Sequence, residues 1–412
     1  MKKFTLFFVG FFCISVFLSG QNSDIKTYFD GQYVAGLADD GQILWVGVDN
    51  LLVKMDKTSG ETSSYVLPNP NEYLGISTFA SSISLDQNGT AWIVCAGPLP
   101  YLERFNLDNS WTDIPLPSSW FSGLVIDQND KVWASTIAGL HEYDGMGWID
   151  YNCSTNVELP YSSFTALAVD NFNNKWLGLT FGLGEAPIFL VKFNDVLFTL
   201  YTSALLNGTG GMISSIDNGS PSTVWMGTHE NGLVKFDGIH WEAYNTSNSE
   251  LPSNSVQNVT VEGANNVWMS TEYGLTRFDG DTWKTFDTNN SNLPSNTINS
   301  IMIDANTTKW VATDLGLISF AGSALSVSDE LYSGVEFKLF PNPAKDVITL
   351  KMSSEDIGST IEVFNILGKA VKTMKMTNNS YKMDVSDLAN GMYLIRVHTK
   401  NGLAIKKLVI RN

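Results

Sequence analysis

The sequence predicts an all-β chain, seven four-stranded units followed by a small Ig-like β-sandwich, and three observations carry that prediction. Two near-copies of one phrase stand back to back: Leu251-Pro252-Ser253-Asn254, Trp268-Met269-Ser270-Thr271 and Gly274-Leu275, then Leu293-Pro294-Ser295-Asn296, Trp310-Val311-Ala312-Thr313 and Gly316-Leu317. Each copy holds short β-branched and aromatic runs parted by Asn, Asp and Gly, the pattern of antiparallel strands joined by hairpins. The tryptophan recurs at Trp45, Trp92, Trp133, Trp176, Trp225, Trp268 and Trp310, with spacings of 47, 41, 43, 49, 43 and 42 residues. Such a period with four strands per unit is that of a β-propeller, and seven anchors give seven blades.

The first residues read as an address. Lys2-Lys3 precede the apolar run from Phe4 to Leu18, small Ser19-Gly20 and polar Gln21, which describes a secretory signal peptide over 1–20. The run is shorter than the roughly 20 residues a spanning helix needs, and no later stretch offers one, so no transmembrane helix is expected in the mature chain. Beyond it only Cys95 and Cys153 remain, in neighbouring blades, and a disulfide or two unpaired thiols are equally open. His141, His229, His240 and His398 show no ligand spacing with them, so neither a metal nor a cofactor is expected.

The propeller is placed at 21–322. Ile25-Lys26-Thr27-Tyr28-Phe29 resembles the outer-strand phrase Trp283-Lys284-Thr285-Phe286, whereas the seventh unit stops at Phe320 without such a strand. Residues 25–29 should therefore complete the last blade and remove the exposed edges of an open ring. The acid six before most anchors (Asp39, Asp86, Asp127, Asp170, Glu262, Asp304) should end each inner strand and cap the next turn by accepting backbone N–H groups. Asp86-x-Asn88 also begins like a calcium loop, but the glutamate that would complete one is missing. The tryptophans should wedge between blades. The fourth unit carries an extra stretch, Thr180 to Pro187, and the fifth has Asn207-Gly208-Thr209-Gly210-Gly211; without a P-loop lysine the latter reads as a loop, not a phosphate cradle.

The net charge is −17. From Glu330 onward 12 basic and 8 acidic residues leave that part near +4; the remainder holds 13 basic and 34 acidic residues, near −21. So acidic a body repels phosphate backbones, which argues against nucleic acid. A ligand is expected at the mouth, where loops from outer to next inner strand and from second to third strand gather. Counting seven back from each turn acid gives Gln32, Phe79, Trp120, Ser163, Gly210, Ser255 and Thr297 there. Same-face loops add Tyr101, Glu185, His229, Glu230, Glu272, Tyr273 and Asp314. Aromatic faces beside carboxylates suit sugar rings, which stack their C–H faces and donate hydroxyls, although Phe79 and Trp120 could equally plug the channel. Glu230 and Glu272 could be argued as an acid/base pair, but nothing in the sequence fixes their separation. Neither a Gly-x-Ser-x-Gly elbow nor a His-Glu-x-x-His helix is present, so no catalytic residue is assigned.

On Leu251-Pro252-Ser253-Asn254, Trp268-Met269-Ser270-Thr271, Gly274-Leu275 and Phe278, the repeat resembles the two-component-regulator propeller repeat. The resemblance implies an extracytoplasmic sensor-type propeller, often concerned with polysaccharides. Streptogramin-lyase-like propellers share the blade rhythm, but their catalytic histidine and metal site find no counterpart here, so a lyase or hydrolase stays an alternative, as does a structural surface protein.

A Ser-rich linker at 323–334 leads to a second β domain at 335–412. Its alternating runs, with turns at Leu367-Gly368-Lys369, Asn390-Gly391 and Asn401-Gly402, suit a small sandwich. Phe340-Pro341-Asn342-Pro343-Ala344, Asn365-Ile366-Leu367-Gly368-Lys369, Leu388-Ala389-Asn390-Gly391-Met392-Tyr393 and Lys406-Lys407-Leu408-Val409-Ile410 closely resemble the type A C-terminal sorting domain of the type IX (Por) secretion system of Bacteroidota. That resemblance implies passage through the periplasm, export by the translocon, removal of the domain by the sortase, and release or attachment at the cell surface.

Overall fold

The computed structural model describes residues 25–69, 78–96, 100–118, 121–179, 189–203, 212–220, 223–263, 265–322, 338–352, 358–365, 369–399 and 402–411. The expected signal peptide at 1–20, the expected linker at 323–334, Trp120, Glu185, Gly210 and Gly368 lie outside them. The chain divides into two compact units, Lys26–Ser326 and a second containing Val327–Asn412.

The first unit is a seven-bladed propeller of four-stranded antiparallel sheets. In the sixth blade, for example, Val256–Glu262, Asn266–Thr271, Gly274–Phe278 and Trp283–Phe286 run from the centre outward. Successive inner strands pack against one another, and Val34–Asp39 packs against Ile298–Ile303, so the ring closes. The closing strand is Ile25–Tyr28, which bonds to Gly316–Phe320 as the outermost strand of the last blade. The chain then turns into the first blade, where the Gly31 N–H donates to the Leu315 carbonyl at 3.0 Å.

Each anchor tryptophan fills the seam toward the next blade. Trp92 packs with Leu124, Val132 and Ala134 of the third blade, Trp133 with Leu177, Val191 and Phe193 of the fourth, and Trp310 with Val46, Val53 and Met55 of the first. The turn acids cap as expected: Asp86 Oδ1 accepts the Asn88 and Thr90 N–H groups at 3.0 and 2.9 Å. In Asp127, Asp170 and Asp304, though not in Asp86, the second oxygen does something local reasoning does not foresee. It accepts the indole N–H of the anchor, at 2.9 Å from Trp133 to Asp127, 2.9 Å from Trp176 to Asp170 and 3.2 Å from Trp310 to Asp304.

A further device couples inner strands. Every inner strand is bulged near its start, and in three blades the residue extruded there reaches the first carbonyl of the next inner strand. Ser122 Oγ donates to the Phe164 carbonyl at 2.8 Å, Ser214 Oγ to that of Val256, and Asn299 Nδ2 to that of Val34 at 2.7 Å. Gly227 stands where blades nearly touch, since a Cβ there would lie 2.8 Å from the Val256 carbonyl oxygen. Cys95 is buried and Cys153 exposed, and both are free thiols, which removes the disulfide option.

The second unit is an all-β sandwich. Lys338–Phe340, Val347–Lys351 and Ser380–Asp384 form one sheet; Ala370–Lys375, Thr360–Asn365, Gly391–Thr399 and Gly402–Ile410 form the other. Ile348, Leu350, Ile361, Val363, Ile395, Val397 and Leu408 meet between them. Among its motif residues, Asn342 Oδ1 accepts the Val409 N–H at 2.8 Å and the Tyr393 hydroxyl donates to the Ala389 carbonyl at 3.0 Å. Pro341 and Pro343 flank that asparagine, Gly391 opens the strand of Tyr393, and Lys406 and Lys407 pair across from Ile395 and Leu394.

Candidate functional site at the propeller mouth

Antiparallel order puts two sets of loops on one face, those joining second to third strands and those leading from each outer strand to the next blade. This mouth is half-built by the residues the sequence singles out. Phe79 opens the second blade's inner strand and is half-buried, its ring edge-on to Tyr33 with centroids 4.9 Å apart. Burial, and next the negative charge of Asp314, raise the Tyr33 phenol above its ordinary value, so Asp314 of the seventh blade faces the same sector. Asp314 Oδ1 is buried and has no hydrogen-bond partner among the described residues. Asp49 receives Gln32 Nε2 at 3.2 Å and the Tyr33 N–H at 3.1 Å, which fixes the strand entering the first blade.

Tyr33 escaped the count because the first blade's turn is one residue shorter. Asp40, not Asp39, is the counterpart of the other turn acids: its backbone N–H bonds to Ile43 three residues on, where Asp127 bonds to Lys131 four on, and its Oδ2 accepts the Trp45 indole at 3.4 Å. Asp39 instead pairs with Lys57 at 2.7 Å. Seven back from Asp40 is Tyr33, not Gln32. The doublet Asp39-Asp40 before Trp45 was the available signal.

Tyr101 is a correction. It is a core residue, packed with Leu52, Cys95 and Phe105, and its hydroxyl donates to the Pro68 carbonyl and to Thr78 Oγ1. At 7% exposure, with its hydroxyl already bonded, it belongs to the core and not to an open ligand surface. His229 and Glu230 are exposed on the fifth blade. Glu272 is exposed on the sixth, where the Ser253 hydroxyl donates to it at 3.0 Å, with Tyr273 exposed beside it. No described contact joins these four to the Tyr33–Phe79–Asp314 sector. Among the described candidate acids, Asp314 alone combines a buried oxygen with an unused acceptor, and an acceptor so placed gains most from a donor the ligand brings.

Thr136, His141 and Asp150 line up like a catalytic relay, at 2.9 Å and 2.7 Å. The threonine is fully buried, accepts the Ala138 N–H and sits where Thr271 and Thr313 close the same turn in other blades, so the line is structural. Among the described residues no group of three or more His, Cys, Asp and Glu side chains is arranged to hold a metal, and no helix is long and apolar enough to cross a membrane.

Comparison with known proteins completes the picture. Residues 338–411 match the family of secretion system C-terminal sorting domains. β-Agarase A of Zobellia galactanivorans is 34% identical over 71 residues, which is 17% of this chain and 13% of the agarase. Solved structures similar in fold include PorZ, a surface component of the type IX secretion system of Porphyromonas gingivalis (TM-score 0.54, 15% identity, 91% of this chain and 59% of PorZ). The extracellular domain of the hybrid two-component system BT3049 of B. thetaiotaomicron is also similar (TM-score 0.58, 16% identity, 94% and 58%). So is streptogramin B lyase (TM-score 0.54, 15% identity, 72% and 96%). The chain thus spans about three fifths of the first two structures and a small part of the agarase. It is a propeller module with a type IX sorting tail, which puts it outside the cell or on its surface.

Proposed function

We propose that the propeller is a binding module for an extracellular glycan, and that the ligand sits in the mouth sector of Tyr33, Phe79 and Asp314. The observation that carries this reading is the orphaned Asp314 Oδ1 beside an aromatic pair. A sugar ring offers both complements at once, a C–H face for the aromatics and hydroxyl donors for the carboxylate. Gln32 and Asp49 hold the entering strand, so the sector is preorganised and little ordering is left to ligand binding. Export follows the tail: a signal peptide at 1–20 leads to the periplasm, the translocon carries the chain across the outer membrane, and the sortase removes the sorting domain.

A glycan array probed with the exported chain tests the site. Phe79→Ala and Asp314→Asn should each weaken retention about tenfold, the loss of one charge-assisted hydrogen bond or one packed ring face. Equal retention by parent and variants on every glycan bound would remove the sector from the site. Cleaved product from a bound polysaccharide would replace binding with catalysis. Trp120→Ala belongs in the same panel, as the third blade's counterpart of Phe79.

A further inference from the structure

The opposite face carries an arc of apolar side chains that the mouth does not explain. It is built from the turns between first and second strands and between third and fourth strands. Leu107, Met146, Val196 and Ile239 stand at the third-to-fourth-strand turns of blades two to five, each between 69% and 93% exposed. Phe172, in the first turn of the fourth blade, adds a ring 65% exposed on the same face.

The turns themselves do not ask for apolar residues. Asp144 Oδ1 accepts the Met146 and Gly147 N–H groups at 2.8 Å each, Asn194 Oδ1 those of Val196 and Leu197, and Asp237 Oδ1 those of Ile239 and His240. The sixth blade builds the identical turn with Asp281 at the tip, and the first a longer turn in which Asp56 Oδ1 likewise accepts the Thr58 and Ser59 N–H groups. An acid or amide at the first position is all that the geometry needs. Four consecutive blades nevertheless expose a large apolar group, in blades three to five on backbones those side-chain bonds hold rigid, and isolated surface apolars would not cluster so.

The carboxylates of these turns face solvent, while Arg104, Lys192 and Lys235 on the strands leading into them lie over the Trp92, Trp176 and Trp225 rings, and His240 pairs with Asp237 at 3.2 Å. Asp108, Asp144 and Asp237 lie in the same turns, held below the usual carboxylate range by the N–H and hydroxyl groups they accept, so they are ionised at neutral pH. The lysines near the arc are already committed: Lys131 pairs with Glu142 at 2.6 Å, and Lys175 is buried on Asp127 and Asp195. An anionic lipid surface would be repelled, and a second copy would bring acids against acids.

We propose that this arc docks a partner protein whose surface is cationic and amphipathic, apolar groups covering Met146, Val196 and Ile239 and Lys or Arg side chains meeting the turn aspartates. Fluorescence anisotropy of a synthetic Lys/Leu amphipathic helical peptide against the full chain tests it. Binding should weaken at least about tenfold in Met146→Ser/Val196→Ser/Ile239→Ser, and progressively with added salt. It should be retained in Ile137→Ser, on the mouth face. The single variant Ile239→Ser, expected to show a smaller loss in the same direction, serves if the triple variant melts below the parent. Equal binding by these variants, or equal binding of a Glu/Leu peptide, would overturn the proposal. So would cosedimentation with phosphatidylethanolamine/phosphatidylglycerol vesicles, or self-association lost in the triple variant, which would assign the arc to lipid or to a second copy.

Discussion

Asp127 receives five donors at once. Its Oδ1 takes the Asn129 and Lys131 N–H groups, and its Oδ2 takes the Trp133 indole, Asn173 Nδ2 and Lys175 Nζ, the last at 2.9 Å. Burial opposes the charge, but those donors outweigh it and hold the carboxyl below its ordinary value. Lys175 is itself fully buried over the Trp133 ring, and Asp127→Asn leaves it Asp195 as its one carboxylate, so the substitution should cost about 1.5–3 kcal/mol in urea unfolding, the loss of a hydrogen bond between charged groups, much of which Lys175→Met in the same chain should restore. A double variant no better than the single would show that the pair is not the cause. Glu103 is the opposite case. Burial, and then the Asp113 carboxylate across the hairpin, push it up to about 7. A carboxyl raised on folding costs stability once both states are ionised, and that cost vanishes as pH falls to the unfolded value. Glu103→Gln should therefore raise the melting temperature at pH 8 and leave it nearly unchanged at pH 4; a gain of equal size at both would refute the assignment. The sequence marks Asp127 as a turn cap because its amide partners are two and four residues away. Lys175 lies in the next blade, and no local pattern announces such a pair.

At the scale of the strand, closure is legible because the seventh unit lacks an outer phrase and residues 25–29 supply one. Ile25–Tyr28 covers the edge of Gly316–Phe320 and sets Tyr28 tilted against Trp310 with ring centroids 5.7 Å apart. Deleting Ile25–Tyr28 should lower the melting temperature and make the protein self-associate with concentration in sedimentation velocity, because a bare edge pairs with the next chain. An unchanged melting temperature and a concentration-independent monomer would show that the strand is dispensable. The same reading failed by one residue in the first blade. A hairpin can lose a residue without losing its strands, so period alone does not fix which acid faces the tryptophan, and Tyr33 went uncounted. The cross-blade hydroxyls of Ser122 and Ser214 were equally hidden, since a bulge inverts the alternation by which inward and outward positions are told apart.

Across the whole ring the seams are chemically unequal although their tryptophans are alike. Lys175 clamps the third blade to the fourth, Lys57 clamps the seventh to the first through Asp304 at 3.1 Å, and Lys309 clamps the sixth to the seventh through Glu262 at 2.5 Å. The seam from fifth to sixth has Asp217 instead, which accepts the Val261 N–H at 2.8 Å and is raised by burial. Asp127 and Asp304 are both lowered, their donors outweighing burial. Their contribution is thus complete above the unfolded carboxyl value, roughly pH 4, and is lost as pH falls through the lower folded values. Asp217 runs the other way, its penalty disappearing on acidification. Acid should therefore open the ring first at the two seams that Asp127 and Asp304 hold, and not at random. Hydrogen exchange below about pH 4 should release inner-strand amides of blades three, four, seven and one before those around Asp217 in blades five and six. Uniform release around the ring would mean that tryptophan packing alone sets the strength of every seam, and that the lysine clamps add nothing to it.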